Sequence, residues 1–98
     1  MYQPKGMMFA VLQAVRALKD DACGTEITQA IAKRARREIP SAQVYVALQR
    51  LTIKGLLQST DQEHRKGRGH PRRFYTLTRD GEHALDVGAT LYGSLEAA

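Results

Sequence analysis

The run His64-Arg65-Lys66-Gly67-Arg68-Gly69-His70-Pro71-Arg72-Arg73 packs five Lys and Arg side chains into ten residues, among glycines that let another backbone approach closely. Such a segment can straddle a phosphate backbone or lay an arginine into a minor groove, with Arg65, Lys66, Arg68, His70, Arg72 and Arg73 as the contacting groups. A second set, Ser41, Gln43, Tyr45, Val46, Gln49 and Arg50, has the chemistry to read base edges in a major groove. Gln43 and Gln49 match adenine, Arg50 matches guanine or a phosphate, Val46 can touch a thymine methyl, and Ser41 with free backbone N–H groups suits a phosphate. Catalytic patterns are lacking. His64, His70 and His83 lie at separations that make no metal clip with the lone Cys23, and no glycine-rich loop of the Walker pattern occurs. The acid pairs Asp20-Asp21 and Asp80-x-Glu82 stand in turn positions, where they serve helix ends. Neither an enzymatic activity nor a cofactor or metal is implied.

Charge is segregated along the chain. Residues 1–32 balance, with Lys5, Arg16 and Lys19 against Asp20, Asp21 and Glu26. Residues 33–73 hold eleven of the fifteen Lys and Arg (Lys33, Arg34, Arg36, Arg37, Arg50, Lys54 and the five above) against Glu38, Asp61 and Glu63, a net of +8. Residues 74–98 set Arg79 against Asp80, Glu82, Asp86 and Glu96, a net of −3. A generally basic solvated surface would scatter the charge. A basic middle with an acidic end instead describes a polyanion-binding module with a separate self-association element. The 98 residues suit one domain with one core. A single cysteine, no signal segment and no apolar run near the roughly 18 residues of a membrane span make the reducing cytoplasm the expected setting.

These residues need elements to hold them. From about Gly6 to Lys19, Met8, Val11, Leu12, Val15 and Leu18 recur at helical spacing and predict a first helix. Thr25 is placed to cap a second helix with Ile27, Ala30 and Ile31 on its inner face, running to about Ile39 before Pro40. Ser41 is placed to cap a third, whose Val44, Leu48 and Leu51 face inward while Ala42, Val46, Gln49, Arg50 and Ile53 face out. Tyr45 lies beside the inward stripe, so its ring can pack while its hydroxyl reaches outward. Gly55 suits a left-handed helix exit. Leu56–Thr60 and Arg73–Thr78 read as two strands around the basic run. Two helices joined by a short turn at Pro40–Ala42, followed by a hairpin, predict a mainly α fold with a small β-hairpin, a winged helix-turn-helix.

After Thr78, a last helix places Leu85, Gly88, Leu91, Tyr92 and Leu95 on one side, past the reach of the first helix. That stripe predicts a homodimer face, dividing the chain into a DNA-binding domain at 1–78 and a C-terminal dimerisation helix at 79–98. The partner expected from charge and pattern is double-stranded DNA, with a palindromic site following from dimer symmetry. A winged-helix module that binds protein instead is the alternative, and the five cations of the basic run argue against it.

The segment Ser41-Ala42-Gln43-Val44-Tyr45-Val46-Ala47-Leu48-Gln49-Arg50-Leu51-Thr52-Ile53-Lys54-Gly55-Leu56-Leu57 resembles the recognition-helix signature of PadR-type transcriptional regulators. Gly69-His70-Pro71-Arg72-Arg73-Phe74-Tyr75-Thr76-Leu77-Thr78-Arg79-Asp80-Gly81 resembles that family's wing and second strand, and Gly24-Thr25-Glu26-Ile27 the opening of its second helix. The resemblance spans roughly residues 7 to 85. It departs from the family at Ala42-Gln43, where Gly-Thr is frequent, at Val46, where proline is common, and at Thr52, where an acid is usual. It implies a dimeric repressor of the short subgroup, with one C-terminal helix. Some short members hold aromatic drugs at the dimer centre with a tryptophan, so a small-molecule effector is a further implication, although this chain has no tryptophan.

Overall fold

The computed structural model describes residues 2–62 and 72–93. In chain order these form α1 (Met7–Leu18), a 3-10 turn (Lys19–Asp21), α2 (Gly24–Ala35), α3 (Ser41–Ile53), β1 (Leu57–Gln62), β2 (Arg72–Leu77), α4 (Arg79–Gly88) and a closing π-turn (Ala89–Gly93). The helical periodicity fills one core. Val11, Leu12 and Val15 of α1, Ile27 and Ile31 of α2, and Val44, Leu48 and Leu51 of α3 converge there with Leu57, Tyr75 and Leu85. Removing those apolar side chains from water is the main favourable contribution to the fold. No helix among the described residues is long and apolar enough to cross a membrane.

The strands pair antiparallel from Leu57↔Leu77 to Gln62↔Arg72. A lone two-stranded hairpin is marginal in water. Here Cys23 bridges Phe74 on the far edge of β2, and the Tyr75 N–H donates to the Ala22 carbonyl at 2.9 Å. That pairing also explains where α2 begins. With Ala22 and Cys23 held in extended pairing, Cys23 occupies the N-cap position and the helix starts at Gly24, so Thr25 lies inside the helix and does not cap it.

The turn between α2 and α3 also differs from expectation. α2 stops at Ala35 instead of near Ile39. The Arg37 N–H donates to the Ala32 carbonyl at 3.2 Å and the Arg36 N–H to the Lys33 carbonyl at 3.3 Å, with Arg36 left-handed at φ 58° and ψ 39°. This is the paired hydrogen-bond exit that usually employs glycine. A continued helix would swing Ile39 away from the Ile27 and Ile31 stripe, whereas the early exit lets Ile39 enter the core. Pro40 then takes the N-cap position and Ser41 becomes the first residue of α3, correcting its assignment as cap. The link is therefore the five residues between Ala35 and Ser41, longer than the expected turn. Because a side chain at left-handed φ is strained, Arg36→Gly should raise stability by roughly 0.5–1 kcal/mol after glycine's own entropic cost. Urea unfolding checks this, and an unmoved or lower midpoint would contradict it.

At the exit of α3, the Leu56 N–H donates to the Leu51 carbonyl at 2.9 Å and the Gly55 N–H to the Thr52 carbonyl at 3.0 Å, with Gly55 at φ 79°. Leu56 is thereby spent on the helix exit, and β1 starts one residue later than the sequence suggests. Thr78 caps α4: its Oγ1 accepts from the Gly81 N–H at 3.0 Å while its own hydroxyl donates to the Gly55 carbonyl at 2.6 Å.

α4 packs on α1 through part of the stripe expected to face a second copy. Leu85 lies in the shared core, Gly88 is buried against the Phe9 ring, and Tyr92 stacks edge-on with Phe9 at 5.0 Å between centroids. The Tyr92 hydroxyl donates to the Pro4 carbonyl at 3.1 Å, and Arg16 reaches Glu82 at 3.5 Å and Asp86 at 3.3 Å. Helix α1 begins early enough to cover these positions, so Leu85, Gly88 and Tyr92 serve their own chain. Leu91 is exposed, and Leu95 lies outside the described residues.

Candidate nucleic-acid interface

Helix α3 is positioned by its inner face. Val44, Ala47, Leu48 and Leu51 are buried against α1 and α2, which leaves Ser41, Ala42, Gln43, Tyr45, Val46, Gln49 and Arg50 exposed together. The helix carries no carboxylate, and Arg50 and Lys54 supply positive charge along one flank. A polyanion can therefore approach the whole face without like-charge repulsion.

Tyr45 lies where α2 begins. Its ring covers Gly24 so closely that a Cβ at that position would collide with it, yet Tyr45 remains 48% exposed. Packing and an outward hydroxyl thus coexist in one side chain. Gln43, Val46 and Arg50 share an open, largely apolar cleft of about 360 Å³ with Met7 and Met8 of α1. Lys54 lies over the Tyr2 ring, 4.2 Å from its centroid, which fixes a cation at the far end of the helix.

The base of the hairpin carries Arg72 and Arg73, but neither is simply free. Arg73 Nε donates to Asp61 Oδ1 at 2.9 Å, an exposed pair, and the carboxylate raises the guanidinium further above its ordinary value. Arg72 Nη1 turns inward towards Cys23 Sγ at 3.9 Å. Burial pushes the neighbouring Tyr75 hydroxyl above the usual phenol range, with Arg73 pulling the other way. Arg65, Lys66, Arg68 and His70 lie outside the described residues. Among the described residues, no group of His, Cys, Asp and Glu could hold a metal ion.

Two features of the face lie outside the set of contacting residues expected from the sequence. Ile53, expected to face out but not to contact DNA, is the most exposed large apolar side chain among the described residues at 76%, seven residues beyond Val46 on the same line, and that spacing was the available signal. Gly24 as the floor beneath Tyr45 had no sequence signal, because the contact joins residues from different helices.

Three helices with a strand-paired hairpin and one cation-flanked helix face define the winged helix-turn-helix class of DNA-binding proteins. Residues 11–87 match the transcriptional regulator PadR-like family, and the chain belongs to that family, whose members are DNA-binding regulators and not enzymes. Among solved structures, a PadR family transcription regulator from Clostridium difficile R20291 is similar with a TM-score of 0.73 at 25% identity, covering 93% of this chain and 91% of that one. A protein from Streptococcus mutans UA159 reaches 0.73 at 27% identity over 98% and 87% of the two chains. BpsR of Bordetella bronchiseptica, whose DNA binding is regulated by 6-hydroxynicotinic acid, shares the fold at a TM-score of 0.73 and 22% identity; 96% of this chain aligns, spanning 58% of that longer one. No curated protein matches the sequence significantly.

Proposed function

We propose that the protein is a sequence-specific repressor that lays α3 in the major groove of its operator and sets the basic hairpin tip on the flanking backbone or minor groove. The observation that carries this is the exposed, carboxylate-free face of α3 with Arg50 and Lys54 on its flank. Gln43, Gln49 and Arg50 read base edges, and the first turn of α3 with Ser41 meets a phosphate. Arg65, Lys66, Arg68, His70, Arg72 and Arg73 supply charge to the backbone, Arg73 once its exposed link to Asp61 yields, a pair worth at most about 1 kcal/mol.

The repressor acts as a homodimer in the cytoplasm. Exposed Leu91 and the alanine-lined groove of Ala10, Ala14, Ala17 and Ala30 between α1 and α2 supply the apolar surface for a second copy. An aromatic effector has a place in the open cleft of about 460 Å³ whose lining includes the cations Lys5 and Arg34 and the rings of Phe9 and Tyr92. A saturable change in tyrosine fluorescence across a panel of aromatic ligands is the check on that part.

The test of DNA binding is fluorescence anisotropy on duplexes selected from a random pool, across a salt series, with the mass measured by light scattering. Tight binding, a steep negative salt slope, a palindrome and a dimer mass are expected. Arg68→Ala should weaken binding to all duplexes and reduce the salt slope by about 1, whereas Gln43→Ala should relax preference at one base position by about 1–3 kcal/mol. Equal effects of both on every sequence would contradict these roles. No binding even at low salt would leave the protein-interaction module as the account.

A further inference from the structure

We infer that α3 selects its sites by the C5-methyl groups of pyrimidines, which Ala42, Val46 and Ile53 touch in the major groove. This rests on the DNA-binding reading of α3. Three of the five exposed large apolar side chains among the described residues, Tyr45, Val46 and Ile53, lie on this one helix. Ala42, Val46 and Ile53 are spaced four and seven residues apart, so they form a single line down the centre of the outward face. Val46 is 46% and Ile53 76% exposed, and the inner face of the helix is already filled, so neither is needed to hold the core. Gln49 is the polar residue in that line, while the cations Arg50 and Lys54 stand to one side.

A face of this kind satisfies few hydrogen bonds at its centre. The apolar group a B-form major groove offers is the methyl on C5, carried by thymine and by 5-methylcytosine. Val46 and Ile53 lie about 10 Å apart along the helix axis, close to three base-pair steps. Gln49, between them, can pair with an adenine, whose partner base brings one of the methyls. An apolar line would also serve a protein partner, but flanking cations with no carboxylate on the helix favour a polyanion.

The experiment starts from the full-length protein and duplexes selected from a random pool. Each selected site is resynthesised with deoxyuridine for thymidine, position by position, and separately with 5-methyldeoxycytidine for deoxycytidine, and binding is followed by anisotropy at fixed salt. Deoxyuridine keeps every hydrogen bond and removes only the methyl. Loss of about fourfold in affinity per contacted methyl is expected, with an unchanged salt slope. Val46→Ser and Ile53→Ser, both at exposed positions, free of side-chain methyls and checked by thermal melting, should bring the thymine-to-uracil ratio close to one at their own positions. A gain confined to the methylcytosine arm would support the same methyl chemistry with cytosine as its source. Tight binding with a ratio of one at every position and no gain from methylcytosine overturns the inference and leaves the DNA reading intact. A ratio that survives both serine variants overturns the assignment to these side chains, and failure to bind any duplex overturns both readings.

Discussion

Leu48→Ala should cost the fold about 2–5 kcal/mol, through lost burial and the cavity left at a site with close neighbours. Leu48 is fully buried on the inner face of α3, in the core shared by α1 and α2. Domains of this kind are stable by only about 5–15 kcal/mol, so the variant would approach the threshold of folding. The functional signature is distinctive. Affinity should fall on every duplex alike, in proportion to the folded fraction, with the relative preference among sequences preserved. Val46→Ala, two residues away but on the exposed face, should change stability by no more than about 0.5 kcal/mol. Urea unfolding of the pair decides the matter, and a loss below 1 kcal/mol for Leu48→Ala would mean that the neighbouring side chains close over the cavity.

Gly81→Ala should destabilise the protein by roughly 1–3 kcal/mol, lowering the melting temperature by about 4–8 °C for each kcal/mol. A methyl at this position would meet the Leu56 carbonyl, and backbone cannot give way as a flexible side chain can. The same carbonyl accepts the Thr78 N–H at 3.1 Å, so a shift that relieves the collision also disturbs the start of α4. Gly88→Ala is the contrasting case. Its added methyl meets the Phe9 ring, which can rotate away, so a smaller loss is expected there. A larger loss at Gly88 than at Gly81 in thermal melts would reverse this ranking.

What the sequence made legible follows from which interactions are local. The inner and outer faces of α3 were readable because helical periodicity is a property of neighbouring residues, and Val44, Leu48 and Leu51 are buried as that spacing requires. The glycine exit at Gly55 was readable for the same reason. The starts of α2 and α3 were not. Thr25 and Ser41 have capping chemistry, but the Cys23 to Phe74 pairing and the entry of Ile39 into the core decide where those helices begin, and both are contacts between distant segments. The stripe on α4 had the period of one face, but part of that face is covered within its own chain. Periodicity shows that Leu85 and Gly88 share a face; it does not show that α1 of the same chain lies beneath it.

The hydroxyl of Thr78 joins the carbonyl of Gly55, just past the end of α3, to the Gly81 amide in the first turn of α4. The two helices are therefore hinged on a common pin. A tilt of α4 either carries the exit of α3 with it or breaks one of the two bonds at that pin. A displacement of α4 therefore bears on the end of α3 through the Thr78 hydroxyl and the Thr78 N–H bond to the Leu56 carbonyl together.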